Sequence, residues 1–175
     1  MRHRVTLIAM LALTCALAAC GGEKEDDGAS AEPPATQSNA SSQAIAKLTE
    51  GDGAGKQVVT TADGLHYLDL KVGDGPQPQP GQTCVTNATL WLLDGTRVWS
   101  SLDDGTPFGF VLGGGGVIRG WDEGVATMKA GGTRRLAVPP ELGYGAKGRP
   151  PVPPNAWLIF TIDLLEVQGG GSAQP

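Results

Sequence analysis

Residues 117–128 read V-I-R-G-W-D-E-G-V-A-T-M, and this stretch decides the fold. It follows a run of glycines, Gly113–Gly116, which cannot hold a regular element by itself. Trp121, Val125 and Met128 recur at the spacing that places side chains on one face of a helix. A helix this short is not stable alone, so we expect its apolar face to pack on a β-sheet.

Strands are predicted on both sides of this helix. Residues 65–72 alternate in polarity, which is the pattern of a half-buried strand. Asp94-Gly95 is typical of a hairpin turn between two further strands. The remaining predicted strands are 83–93, 97–101, 107–112, 133–138 and 157–167. We therefore predict an α+β domain over residues 57–168, with an antiparallel sheet of five to six strands and one short helix that covers one face of the sheet.

Residues 1–19 have the features of an export signal. Positions 2–4 are basic and positions 5–16 are apolar. The L-A-A-C sequence that ends at Cys20 then resembles the bacterial lipobox, in which the cysteine is acylated and becomes the new N-terminus. The alternative is an ordinary secretion signal that is cleaved nearby. A membrane-spanning helix is disfavoured because it needs about 18 or more apolar residues.

The lipobox resemblance implies that a lipid on Cys20 anchors the protein to a membrane facing the periplasm or the cell exterior. Glycine rather than aspartate at position 21 implies the outer membrane in a double-membraned bacterium. Residues 20–56 are rich in Gly, Ser, Ala, Pro and acid, so we predict a flexible tether in which residues 44–48 form at most a helical turn. Residues 169–175 are similar in composition and predict a flexible tail.

Conventional catalytic motifs are absent from the sequence. It contains no G-x-S-x-G, no HExxH, no cysteine pair at zinc spacing and no phosphate-binding loop. A formal net charge of -5, without a basic patch, argues against nucleic acid. Once Cys20 is acylated, Cys84 is the one thiol left and is expected to be buried rather than catalytic. The carboxylates at positions 94, 103, 104, 122 and 123 are interpreted as solvated turn or helix-start residues.

Large apolar residues lie at the ends of elements and in loops. They are Phe108, Val117, Ile118, Trp121, Tyr144, Val152 and Phe160. Spacing alone favours the interpretation that they are core, and the alternative is that they line a pocket. Tyr144 supports the pocket, because it lies in the glycine-lined loop E-L-G-Y-G-A, where its hydroxyl is able to bind a ligand.

Several motifs resemble the FKBP family of peptidyl-prolyl cis–trans isomerases. They are V-I-R-G-W-D-E-G-V (117–125), M-K-A-G-G-T-R-R-L-A-V-P-P-E-L-G-Y-G (128–145) and P-P-N-A-W-L-I-F (153–160). The match continues upstream through G-Q-T-C-V (81–85), L-D-G-T, S-S and P-F-G-F-V-L-G (107–113), so it covers nearly all of the predicted domain. The family fold, an antiparallel sheet around one short helix with a proline pocket between them, agrees with the fold predicted above.

The resemblance implies a role for each of these apolar residues. The catalytic set would be Tyr144, Phe160, Trp121 and Ile118, and the substrate-binding set would be Phe108, Val117, Val98, Trp99 and Val152. Trp121 would form the floor of the pocket. The backbone N–H of Ile118 and the hydroxyl of Tyr144 would bind substrate carbonyls, and Val152 would lie on the mobile loop at the rim. No metal, nucleotide or other cofactor would be needed. The expected partners are proline-containing polypeptides, namely unfolded or nascent exported proteins, and the chain is expected to be a monomer.

The sequence departs from the family pattern at several pocket positions. Ala88 replaces the usual tyrosine, and Val98-Trp99 replaces a phenylalanine-aspartate pair. The Trp99 ring either points inward to fill the vacated space or faces solvent, and Gly116 stands where an acid often contacts the ligand. Two hypotheses follow. The first is a prolyl isomerase acting outside the cytoplasm, with activity that these substitutions reduce or alter. The second is a proline-segment binding module or chaperone that turns over poorly.

Overall fold

The computed structural model describes residues 34–169, and this range contains two α-helices and seven β-strands joined by loops and short 3-10 turns. The elements are α1 (Pro34–Leu48), β1 (Val59–Thr60), β2 (His66–Lys71), β3 (Thr83–Leu92), β4 (Arg97–Ser100), β5 (Phe108–Val111), α2 (Arg119–Ala126), β6 (Gly132–Val138) and β7 (Leu158–Gln168). The strands form one sheet in the order β1-β2-β6-β7-β3-β4, with β5 also paired to β3. Every pairing in it is antiparallel.

The predicted α+β class and the antiparallel sheet are confirmed. The sheet has seven strands rather than five to six, in part because β1 is a two-residue strand too short to leave a periodic signal. The first part of β3 pairs with β5 and its second part pairs with β4, so these two short strands share one edge of β3. Between them Ser101 N donates to Ala88 O at 2.9 Å, and Ala88 N donates to Ser101 Oγ at 3.0 Å.

Helix α2 lies very close to strand β6, because its inner face carries glycines. A Cβ atom at Gly124 would lie 2.6 Å from Leu136 Cδ1, and one at Gly120 would overlap Val138 Cγ1. The two glycines are four residues apart and therefore on one face of the helix. This close packing buries the Trp121 side chain, which is 4% exposed. Helix α2 ends at Ala126, two residues before Met128, the last residue of the predicted apolar face.

A buried arginine holds the C-terminal end of α2. The Arg134 guanidinium donates to both carboxylate oxygens of Asp69, at 2.7 and 3.0 Å. It also donates to Gly124 O at 2.7 Å and to Thr127 Oγ1 at 2.6 Å, and it lies 4.0 Å from the Tyr67 ring centroid. Arg134 is only 3% exposed, and these contacts satisfy its donors in an environment where an unpaired charge would be costly.

Helix α1 corrects the predicted tether of residues 20–56, since residues 34–48 of that stretch are helical. Ala44 and Leu48 are fully buried against the face of the sheet opposite α2. They form a second apolar cluster with Leu68, Ala137, Trp157 and Ile159. The sequence gives little sign of this helix because its buried face is mainly alanine, and its stability depends on the sheet it covers.

Other sequence-based expectations concern residues that the structure does not describe. The predicted signal of residues 1–19, the lipid site Cys20 and nearly all of the tail of residues 169–175 fall outside residues 34–169. None of the helices within residues 34–169 has the length and apolar character needed to cross a membrane.

The packing of α1 on the sheet can be tested by substitution of its buried leucine. Truncation of Leu48 to alanine is expected to cost about 2–4 kcal/mol in the free energy of unfolding, because it leaves a cavity in the second apolar cluster. Ala46→Ser is the matched control, since Ala46 lies on the exposed side of the same helix and such changes usually cost below about 0.5 kcal/mol. Urea unfolding measures both. Equal midpoints for Leu48→Ala and the parent would mean that residues 34–48 are a tether after all.

A buried histidine joins α1 to the sheet. The Nε2 atom of His66 lies 2.8 Å from Ser41 Oγ on α1, and its Nδ1 atom lies 2.8 Å from Thr60 Oγ1 on β1. Its ring stacks on Trp157 with centroids 5.6 Å apart and planes within 3°. Burial lowers the pKa of His66 below its ordinary value of 6.5. The folded protein therefore favours the neutral imidazole.

Acidification from pH 7.5 to 5.5 is expected to lower the free energy of unfolding, since the unfolded chain binds a proton at His66 more tightly than the folded chain does. The contribution is complete above pH 6.5 and is lost as the pH falls toward the lowered folded pKa, by at most about 1.4 kcal/mol per pH unit. Urea unfolding of the parent and of His66→Gln at both pH values measures it. The variant should show the flatter pH dependence, and identical slopes would contradict the assignment.

Candidate functional site

Trp121 is the centre of an aromatic cluster at the N-terminal end of α2. Its ring contacts Phe160 at 5.3 Å, Phe110 at 5.5 Å and Phe108 at 5.6 Å between centroids. The interplanar angles are 82°, 68° and 87°, so all three contacts are edge-to-face, a favourable arrangement for aromatic pairs. The indole is therefore held in one orientation, with phenylalanines from β5 and β7 around it.

A cavity of about 680 Å³ opens over this cluster. It is lined by Leu90, Val98, Trp99, Asp104, Phe108, Gly115, Gly116, Val117, Ile118, Trp121, Tyr144, Arg149, Pro150, Pro151, Val152 and Phe160. This set contains every residue that the sequence placed in the catalytic and substrate-binding groups. The volume is within the range of about 300–1,000 Å³ that is usual for ligand pockets.

Several elements converge to build the cavity. Strand β4 contributes Val98 and Trp99, strand β5 contributes Phe108, and strand β7 contributes Phe160. The loop before α2 contributes Val117 and Ile118, and the long loop between β6 and β7 contributes Tyr144 and Val152. Residues far apart in the chain are brought together because β7 lies between β3 and β6 in the sheet.

Trp99 forms a wall of the cavity and does not fill it. Its ring packs edge-to-face on Phe108, at 5.8 Å and 79°. Its indole Nε1–H donates to Asp104 Oδ2 at 3.1 Å. The side chain is partly exposed, so it neither points inward to fill the vacated space nor faces solvent completely. Its apolar face adds to the cavity wall while its polar edge points to an exposed carboxylate.

Two donors at the cavity are free to bind a ligand. Within residues 34–169 the Tyr144 hydroxyl makes no hydrogen bond, and the ring is half-buried. Ile118 precedes the first turn of α2 with an extended backbone (φ -66°, ψ 151°), and its N–H likewise has no partner in this range. Backbone N–H groups at a helix start are unsatisfied by the helix itself. Both groups are therefore suited to bind carbonyl oxygens.

The rim loop, residues 148–155, is shaped by prolines and by its own hydrogen bonds. It reads G-R-P-P-V-P-P-N. Arg149 N donates to Val152 O at 3.0 Å, and Val152 N donates to Arg149 O at 2.6 Å. Asn155 N donates to Gly145 O at 2.9 Å, which ties the end of the loop to the turn that precedes it. Val152 is thereby held at the rim of the cavity, 6% exposed.

Several residues of the cavity were not predicted from the sequence. Leu90 follows the inward alternation of β3 and was open to identification from the pattern. Asp104 was expected to be a solvated turn residue; it is exposed, but it also lines the cavity and accepts the Trp99 hydrogen bond. Arg149, with its guanidinium carbon 5.9 Å from the Tyr144 ring centroid, had no periodic signal because it lies in an irregular loop.

Nucleophilic chemistry has no support in this site. Cys84 is fully buried and lies outside the cavity lining. Burial raises the pKa of the Cys84 thiol to about 11, with a smaller contribution from the Asp122 carboxylate. The thiolate, which is the reactive form, is therefore scarce near neutral pH. Within the described range, no group of His, Cys, Asp and Glu side chains is arranged to hold a metal ion.

Comparisons with known proteins identify relatives of this chain. A family model described as FKBP-type peptidyl-prolyl cis-trans isomerase matches residues 75–165. The chain is 48% identical over 105 residues to "FK506-binding protein" from Neisseria meningitidis serogroup B, covering 59% of this chain and 96% of that protein. It is 50% identical over 109 residues to "FK506-binding protein 4" from Dictyostelium discoideum, covering 62% of this chain but only 29% of that longer protein.

Solved structures show the same fold. The crystal structure of FkpA from Escherichia coli aligns with a TM-score of 0.63 and 36% sequence identity, covering 78% of this chain and 65% of that one.

Proposed function

The chain belongs to the FKBP-type peptidyl-prolyl cis–trans isomerase family, and from this premise we propose that its cavity isomerises X–Pro bonds in proteins that fold outside the cytoplasm. The observation that supports this proposal is the cavity itself, an aromatic hollow over Trp121 that unites residues from strands, loops and a helix that lie far apart in the chain. Its mainly apolar and aromatic lining suits a reaction in which no covalent bond is made or broken.

The proposed mechanism is selective binding of the twisted amide. An X–Pro bond rotates over tens to hundreds of seconds, since rotation breaks the resonance of the planar amide. The twisted amide separates less charge than the planar one, so a cavity with apolar walls favours it over the ground state. A preference of about 3–4 kcal/mol would accelerate rotation by two to three powers of ten. The Ile118 N–H and the Tyr144 hydroxyl would fix the flanking carbonyls while the bond turns.

The substitutions at Ala88, Val98 and Trp99 bear on how fast this turnover is. Ala88 is 2% exposed, and Thr61 Oγ1 is the one buried side-chain polar atom in residues 34–169 without a hydrogen bond, so the absent tyrosine leaves no unpaired partner near Ala88. With Trp99 in place of the aspartate, the acid nearest this wall is the exposed Asp104. A chain that binds proline segments with little turnover is the second candidate function. The observation that favours it is Trp99 at the position where the family pattern has an aspartate.

Removal of the Phe160 ring is expected to lower kcat/KM for an X–Pro peptide by about 10- to 100-fold, since it opens the cavity and releases Trp121. Ile162→Ala is the matched control: Ile162 is fully buried on the same face of β7 but does not line the cavity. Both substitutions remove buried volume. A larger loss of kcat/KM in Phe160→Ala than in Ile162→Ala would therefore reflect the cavity and not a general loss of packing. Cis-to-trans relaxation of a Leu-Pro peptide, followed by NMR, measures the rate.

The same assay on the unmodified protein distinguishes the two candidate functions, the isomerase and the binding module. Relaxation above the uncatalysed rate supports the isomerase. Binding of the peptide without acceleration supports the binding module. Full activity in Phe160→Ala would show that the cavity is not the active site.

We also propose that the protein is exported and held at the outer membrane by a lipid on Cys20, facing the periplasm, as a monomer that acts on unfolded or nascent exported proteins. The support is the order of basic, apolar and lipobox residues before Cys20. Two acyl chains are needed for stable anchoring, because one chain gives only marginal membrane binding.

Mass spectrometry of the mature protein tests the anchor. The N-terminal residue is expected to be Cys20 carrying lipid, and the protein is expected to fractionate with membranes. Cys20→Ser should release it into the soluble fraction or leave the signal uncleaved. A mature N-terminus elsewhere, without lipid, would establish the ordinary secretion signal instead.

A further inference from the structure

Two opposite charges stand at the mouth of the cavity. Among its lining residues only Asp104 and Arg149 are charged, and both are exposed. They come from different loops, Asp104 from the loop between β4 and β5 and Arg149 from the rim loop. Each is associated with an aromatic wall residue: Asp104 accepts a hydrogen bond from Trp99 at 3.1 Å, and the Arg149 guanidinium carbon lies 5.9 Å from the Tyr144 ring centroid.

Neither charge is neutralised by the protein within residues 34–169. Asp103, next to Asp104, is paired with Arg97 at 3.0 Å. Arg119 is likewise paired with Asp63, at 3.2 Å. No salt bridge in this range includes Asp104 or Arg149. Both charges are therefore available to a polypeptide that binds in the cavity.

We propose that Asp104 and Arg149 are specificity-determining residues that favour a proline flanked by opposite charges, with the basic side chain toward Asp104 and the acidic one toward Arg149. This inference rests on the proposed function, because it takes the proline to occupy the cavity over Trp121. A polypeptide binds there in one chain direction, so reversing the two flanking charges places each of them beside a like charge.

The size of the effect follows from the exposure of the two groups. Exposed ion pairs contribute modestly. Moving one peptide charge from the matched to the reversed position is therefore expected to change kcat/KM by about two- to fivefold. Two peptides that differ only in the order of the flanking charges should then differ by roughly tenfold. The difference should nearly vanish in 1 M salt, where the screening length falls to about 3 Å.

The test uses three peptides around one Leu-Pro bond: Glu before and Lys after it, the reverse order, and Gln at both positions. For each protein, kcat/KM of the charged peptides is divided by that of the Gln peptide, so a general change in activity cancels. The parent should prefer one charge order. Asp104→Asn and Arg149→Gln should each weaken this preference, and the double variant D104K/R149E should reverse it.

Asp103→Asn and Lys147→Gln are the matched controls. Each removes an exposed charge near one of the two groups without altering the cavity lining, so the preference should persist. Equal rates for the two charged peptides in the parent, or an unchanged preference in the double variant, would overturn the inference. If no peptide is turned over, the proposed isomerase fails, and dissociation constants of the same peptides from tryptophan fluorescence then decide the charge preference alone.

Discussion

The close approach of α2 to β6 is the constraint on which the rest of the structure depends. Gly120 and Gly124 leave no room for a methyl group against Val138 and Leu136. Arg134 fixes the other end of the helix through Gly124 O and Asp69. These contacts fix the distance between α2 and the sheet. Because Trp121 lies on this helix, its ring is held deep enough to leave a cavity above it. A helix one methyl further out would carry Trp121 away from Phe160.

The sequence was sufficient for the parts of this arrangement that follow a simple period. Helical spacing predicted the helix around Trp121, and alternation predicted every strand except the two-residue β1. The cavity residues were assigned through the family resemblance, because spacing alone favoured a core role for them. Helix α1 was missed, since Ala44 and Leu48 give a weak apolar stripe and the stability comes from partners such as Trp157 that lie far away in the chain. Asp104 and Arg149 were missed for a different reason: irregular loops have no period, so only the folded chain brings them to one opening.

The sheet separates two apolar clusters that share no buried residue. The cluster on the α2 face contains the cavity, and the cluster on the α1 face joins the N-terminal helix to the domain through His66 and Arg135. Substitutions that weaken the packing of α1 are therefore expected to disturb the second apolar cluster before they affect the cavity. Attachment to the N-terminal segment and the chemistry of the cavity are supported by different sets of side chains.

The rim loop has a thermodynamic consequence for any chain that enters the cavity. Its prolines at positions 150, 151, 153 and 154 restrict their own φ angles before a partner arrives. The reciprocal hydrogen bonds between Arg149 and Val152 limit the segment further. Little conformational entropy is left for the rim to lose on association, so it is preorganised, and a larger share of the contact energy remains available to discriminate between the two rotational states of the guest amide.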